Sequence, residues 1–169
     1  MQPENNRLYL ASPNGFVPNH RPYTDEVKAA LRDLGYVVLD PWEEDYSAFF
    51  MDAKLIQEYD KRITYHNALA HIIGQRNHGL IRSAGTVIGI LEGTEPDSGT
   101  VSEVSYAAGL GKAVHGIRCD FRDAGELPGV PVNAQLLYWI QLNGGKLFRS
   151  IADLRANLPS IGVSAEPVK

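Results

Sequence analysis

Short apolar runs rich in β-branched residues alternate with longer stretches of helical apolar spacing from one end of this 169-residue chain to the other. That alternation is the pattern of a parallel sheet, because parallel strands need crossover connections and the helices in those crossovers cover both faces. Residues 7–11 (RLYLA), 36–39 (YVVL), 86–91 (TVIGIL), 113–117 (AVHGI) and 146–148 (KLF) read as five strands. After the first of them, Thr24 would cap a helix whose Val27, Ala30, Leu31 and Leu34 form one stripe, with Asp25 and Glu26 favourable in its first turn and Gly35 at its end. Helical spacing runs again from about residue 53 towards 77, with a break expected near Gly74, then from Val101 to Leu110, from Asn133 to Leu142, and after Ser150 as a cap. The expected fold class is α/β, a doubly wound five-stranded parallel sheet in one domain spanning residues 7–158. Residues 1–6 would be disordered and residues 159–169 a flexible tail.

The third strand runs directly into Asp97, Ser98, Gly99, Thr100 and then Glu103, so two carboxylates flank a glycine turn that opens a helix. In a sheet of this kind that is the ligand-facing end. Each acid also has a plain structural reading. Residues 100–103 (TVSE) match a capping box in which Glu103 would bond the backbone N–H of Thr100, and Asp97 follows Pro96 in a tight-turn sequence. Tyr9 lies near the end of the first strand, which neighbours the third at the switch point of a doubly wound sheet. Its phenol could orient Glu103, or simply pack in the core. Trp42, just past the second strand, is either a pocket wall or a rim residue. A carboxylate so placed suits glycosidic cleavage, since the oxocarbenium-like state can be trapped by an anionic nucleophile and then released to an acceptor with retention.

Tyr9, Ser12 and Pro13, then Asp97, Gly99, Thr100, Glu103, Ala107, Gly111 and Lys112, and finally Asn133, together resemble the nucleoside 2-deoxyribosyltransferase family. The resemblance implies a flavodoxin-like domain that moves 2-deoxyribose between nucleobases by double displacement, a salvage reaction. Glu103 would be the nucleophile, Tyr9 would position it, and Asp97 would contact the substrate near sugar and base. Pro13, Phe16, Trp42 and Gly99 would help line the nucleoside site. The resemblance also implies a homo-oligomer in which Asn133 completes a neighbouring subunit's active site, with nucleosides and nucleobases as partners and no cofactor. Two positions depart from the family pattern: Gly85 where an aspartate is common at the start of the third strand, and Ser105 two residues after Glu103 where glycine is common. An N-glycosidase acting on a nucleoside or its 5′-monophosphate, and a sensor that binds without turnover, are the alternatives.

Composition narrows the classes further. The chain is 44% hydrophobic and 21% charged, ordinary for a globular domain with a full core. A net charge of −4 argues against a nucleic-acid polymer as partner. The single cysteine, Cys119, allows no internal disulfide, no apolar stretch is long enough for a membrane span, and the first residues lack a signal pattern, so a cytoplasmic location without membrane contact is expected. His20, His66, His71, His78 and His115 show no zinc spacing, and no metal is expected. Residues 109–112 (GLGK) come at a helix end and read as a helix stop rather than a phosphate loop, although the helix that opens after Gly99 could still hold an anion. The polar stretch 118–129 is a candidate lid.

Overall fold

Five strands, β1 (Glu4–Ala11), β2 (Val37–Leu39), β3 (Ala84–Ile90), β4 (Ala113–Ile117) and β5 (Leu147–Phe148), form one all-parallel sheet in the order β2-β1-β3-β4-β5. This is the flavodoxin-like doubly wound order, with its switch point between β1 and β3. The structure is a computed structural model and describes residues 4–16, 18–43 and 46–161. Among the described residues six α-helices accompany the strands, five between strands and the last after β5: α1 (Arg21–Asp33), α2 (Ser47–Leu55), α3 (Tyr59–Ser83), α4 (Ser98–Gly109), α5 (Ala134–Leu142) and α6 (Ile151–Asn157).

Both faces of the sheet are dry, and strand parity decides which side chain goes where. Leu8 and Leu10 of β1 join Ile88 and Ile90 of β3 in a core covered by Val27, Ala30 and Leu31 of α1 and Leu154 of α6. Tyr9 and Ala11 point the opposite way, into a second core with Val87, Leu91, Val104, Ala107, Leu136 and Ile140. Tyr9 is therefore fixed on the α4 side of the central strands by the alternation along β1. Gly89 matters on the same side: a Cβ there would lie 2.8 Å from Cγ2 of Val104, so the missing side chain lets α4 settle against β3.

Several boundaries differ from the sequence-based expectation. Helix α1 begins at Arg21, with Pro22 in its first turn, where its missing N–H is harmless. Thr24 is consequently inside the helix; its hydroxyl donates to the carbonyl of His20 and accepts from Asn14 Nδ2 at 2.7 Å. Helix α3 is unbroken at Gly74 and Gly79 and runs for 25 residues, absorbing Leu80 and Ile81, while the chain break falls earlier, between α2 and α3. Strand β1 starts at Glu4, and the chain beyond Leu158 is tied to the core through Tyr36 Oη, which donates to the carbonyl of Pro159, and Ile161 N, which donates to that of Leu34, each at 2.8 Å. The expected tail from Val163 to Lys169 lies outside the described residues. Ser150 does cap α6, accepting from Asp153 N at 2.9 Å.

Candidate active site

Asp97, not Thr100, caps α4: its Oδ2 accepts from Thr100 N at 2.8 Å and from Thr100 Oγ1 at 3.1 Å. Aspartate is the better cap of the two, and taking that place starts the helix at Ser98. Glu103 is thereby moved from the first turn into the second and has no capping box to join. Its side chain turns to the sheet instead. Tyr9 Oη donates to Glu103 Oε1 at 2.9 Å, and Asn77 Nδ2 of α3 donates to the same oxygen at 3.0 Å.

Burial pushes the Glu103 carboxyl above its ordinary value; the two donated bonds pull it back, the negative charge of Asp97 adds to the rise, and the balance is upward. Tyr9 is fully buried beside that carboxylate, and both effects hold its phenol far above the usual tyrosine range. Tyr9 is accordingly a neutral donor that orients Glu103, not a base.

Glu103, Asp97 and Gly99 open onto a cavity of about 270 Å³, near the lower end of the roughly 300–1,000 Å³ usual for small-molecule pockets. Pro13, Pro41, Trp42 and Ile73 give it apolar walls, and Ser12, Tyr46, Asn77 and Thr100 complete the lining. Trp42 is a wall. Its indole Nε1 donates to the carbonyl of Ser12 at 2.6 Å, and its ring lies so close to Gly15 that a Cβ there would come within 1.9 Å of it. Flat apolar walls beside a row of oxygen-bearing groups can hold a planar heterocycle attached to a hydroxylated ring.

Of the residues singled out from sequence, Glu103, Asp97, Gly99, Pro13 and Trp42 therefore share one cavity, with Tyr9 behind it. The side chain of Phe16 lies outside the described residues. Asn133 is elsewhere: it caps α5 through Oδ1, its amide is bonded to the Glu126 carboxylate, and it lines a separate groove of about 580 Å³ with Ser102, Ser105 and Trp139. Gly85 sits near the start of β3, away from the strand ends that carry the cavity, so its departure from the family pattern does not touch this site. The stretch 118–129 contributes nothing to the cavity lining among the described residues. It is anchored rather than poised as a lid: Arg118 is wholly buried and donates to the carbonyls of Leu91 and Arg122, and the Glu92 carboxylate accepts from the backbone N–H of Cys119 and Asp120.

Asn77 is the site residue that sequence reasoning missed. Leu69, Ile73, Asn77 and Ile81 recur at intervals of four along α3, so a polar residue interrupting that apolar stripe was the available signal.

Residues 8–135 match the family model described as nucleoside 2-deoxyribosyltransferase. The chain belongs to that family. Membership supports an enzyme acting on N-glycosidic bonds. Among solved structures, a conserved protein from Enterococcus faecalis V583 is similar with a TM-score of 0.64 at 19% identity, covering 90% of this chain and 96% of that one. A 2-deoxyribosyltransferase from the psychrotolerant Bacillus psychrosaccharolyticus has a TM-score of 0.59 at 22% identity, covering 91% and 96%. A CMP N-glycosidase from Clostridium botulinum gives 0.49 at 13% identity, covering 90% and 96%. No curated protein matches the chain. Among the described residues no group of three or more His, Cys, Asp or Glu could hold a metal ion, and no helix is long and apolar enough to cross a membrane.

Proposed function

We propose that this member of the family transfers 2-deoxyribose from one nucleobase to another through a covalent deoxyribosyl-Glu103 intermediate. The observation that carries the reading is the Glu103 carboxylate, held by Tyr9 and Asn77 in the lining of a cavity of about 270 Å³. A carboxylate oxygen attacks the anomeric carbon as the bond from that carbon to the base nitrogen breaks. The base leaves with the bonding electron pair and takes a proton from water. A second base then attacks the sugar from the vacated face, releasing Glu103 and giving back the original configuration. Trp42, Pro13 and Pro41 offer the base an apolar surface, which also keeps water from the intermediate until an acceptor arrives.

Asp97 has Oδ2 committed to the helix cap and Oδ1 unbonded among the described residues, so Oδ1 is its contact to the substrate. The groove around Asn133 lies outside the cavity, in keeping with a homo-oligomer in which Asn133 reaches the sugar in a neighbouring subunit. Incubation with deoxyinosine and adenine is the test, with deoxyadenosine and hypoxanthine as the expected products. Free deoxyribose would make the protein an N-glycosidase instead, and binding without product a sensor. Glu103→Gln should lower the rate by orders of magnitude, as loss of a covalent nucleophile does.

A further inference from the structure

Two side chains from separate elements donate to one oxygen of Glu103. Tyr9 of β1 and Asn77 of α3 both bond Oε1, at 2.9 and 3.0 Å, while Oε2 has no hydrogen bond among the described residues. We propose that Asn77 is a positioning residue for Glu103: together with Tyr9 it fixes Oε1 and leaves Oε2 as the oxygen that attacks the sugar. The inference rests on Glu103 being the nucleophile and says how that nucleophile is aimed.

The chemistry of the amide supports the role. Only the nitrogen end of an asparagine side chain can donate, so facing a carboxylate settles which way the amide points. Asparagine does not titrate and has no proton to give a leaving base, so its contribution is confined to holding and stabilising the carboxylate. A single donor would leave Glu103 free to rotate about its terminal bond and exchange its two oxygens. Donors converging from a strand and a helix on the same atom prevent that, and a preset orientation of the reacting oxygen is worth rate rather than affinity. Among the described residues, few titratable groups act on Glu103. Tyr9 faces it from β1, Asp97 from the turn before α4, and Asp40 and Tyr46 act in turn on Tyr9. His78, the neighbour of Asn77 on α3, turns instead to the ring of Tyr106, 5.4 Å away.

The test uses Asn77→Leu, which keeps the bulk and removes both donors, and Asn77→Asp. Two readouts are taken on the full chain: the 13C titration of the Glu103 side-chain carboxyl, assigned by its loss in Glu103→Gln, and kcat and KM for a deoxynucleoside across pH. In Asn77→Leu the Glu103 titration and the acid limb of kcat should both move to higher pH. The kcat should fall about tenfold or more, the scale of one hydrogen bond to a charged group, with KM little changed. In Asn77→Asp two carboxyls share one proton, and the protonated aspartic acid donates to Oε1 as the amide did. Activity should then approach the parent's at lower pH and decline once the pair loses that proton, an alkaline limb that Asn77→Leu lacks.

A folded Asn77→Leu protein with unmoved titration and unchanged kcat would overturn the role of Asn77 while leaving the transferase reading intact. A parent protein that turns over no nucleoside, yet whose Glu103 titration shifts with residue 77, would remove the transferase reading and uphold the contact.

Discussion

The Glu103 carboxylate is withdrawn from bulk water, faces the negative charge of Asp97, and is compensated by two neutral donors, so its ionised form is held at an energetic cost in the folded chain. Its folded pKa is raised above the unfolded value. Below the unfolded pKa both states are protonated and nothing is lost; as pH rises through the folded value the native state becomes progressively less stable relative to a neutral side chain. Glutamine at 103 can still accept both donors through its amide oxygen. Glu103→Gln should therefore melt at a higher temperature than the parent near neutral pH, with the gap closing as pH falls towards the ordinary glutamate range; thermal melts at several pH values check this. Spacing made the acid pair and the tyrosine candidates, because a strand end, a glycine turn and a helix start leave few places for those side chains to go, whereas their roles came from the family resemblance. Spacing misjudged the cap, since Asp97 and Thr100 stand three residues apart and compete for one role. Asn77 was missed although it breaks the apolar stripe of α3, because the stripe marks a polar exception without naming the residue of another element that it meets.

At the scale of elements, the site exists because α4 lies close enough to β3 for Glu103 to meet a residue of β1. Gly89 provides that closeness. Gly89→Val would force its side chain into Val104, whose branched Cβ has little freedom to yield. A destabilisation of about 1–3 kcal/mol in chemical denaturation is expected, together with loss of activity on nucleosides as α4 is lifted from Tyr9. The sheet itself was readable from sequence because buried parallel strands are short, β-branched and separated by helical periods, and parity along β1 then assigned each face. Helix α3 was less readable: Gly74 and Gly79 look like punctuation, yet each has nothing within 4 Å of a built Cβ, and a 25-residue helix absorbs the roughly 1 kcal/mol that each glycine costs. The stretch 118–129 resembled a lid because it is polar, but buried Arg118 and the bonds to Glu92 tie down its first residues.

For the whole molecule, the proposed role of Asn133 at the sugar calls for a second chain, because Asn133 caps α5 beside a groove that shares no lining residue with the Glu103 cavity. Glu103→Gln and Asn133→Ala should each be nearly inactive alone. Mixed under conditions that allow subunits to exchange, they should regain activity, since some mixed assemblies then hold one cavity with both intact groups; recovery assayed against unmixed controls decides it. The account as a whole turns on a bond between sugar and protein. Intact-protein and peptide mass spectrometry after brief exposure to a deoxynucleoside, without acceptor base, reads that bond directly. The account predicts a deoxyribosyl adduct on the peptide carrying Glu103 that disappears when an acceptor base is added, whereas free base released with no adduct at any time, or an adduct that survives in Glu103→Gln, would contradict it.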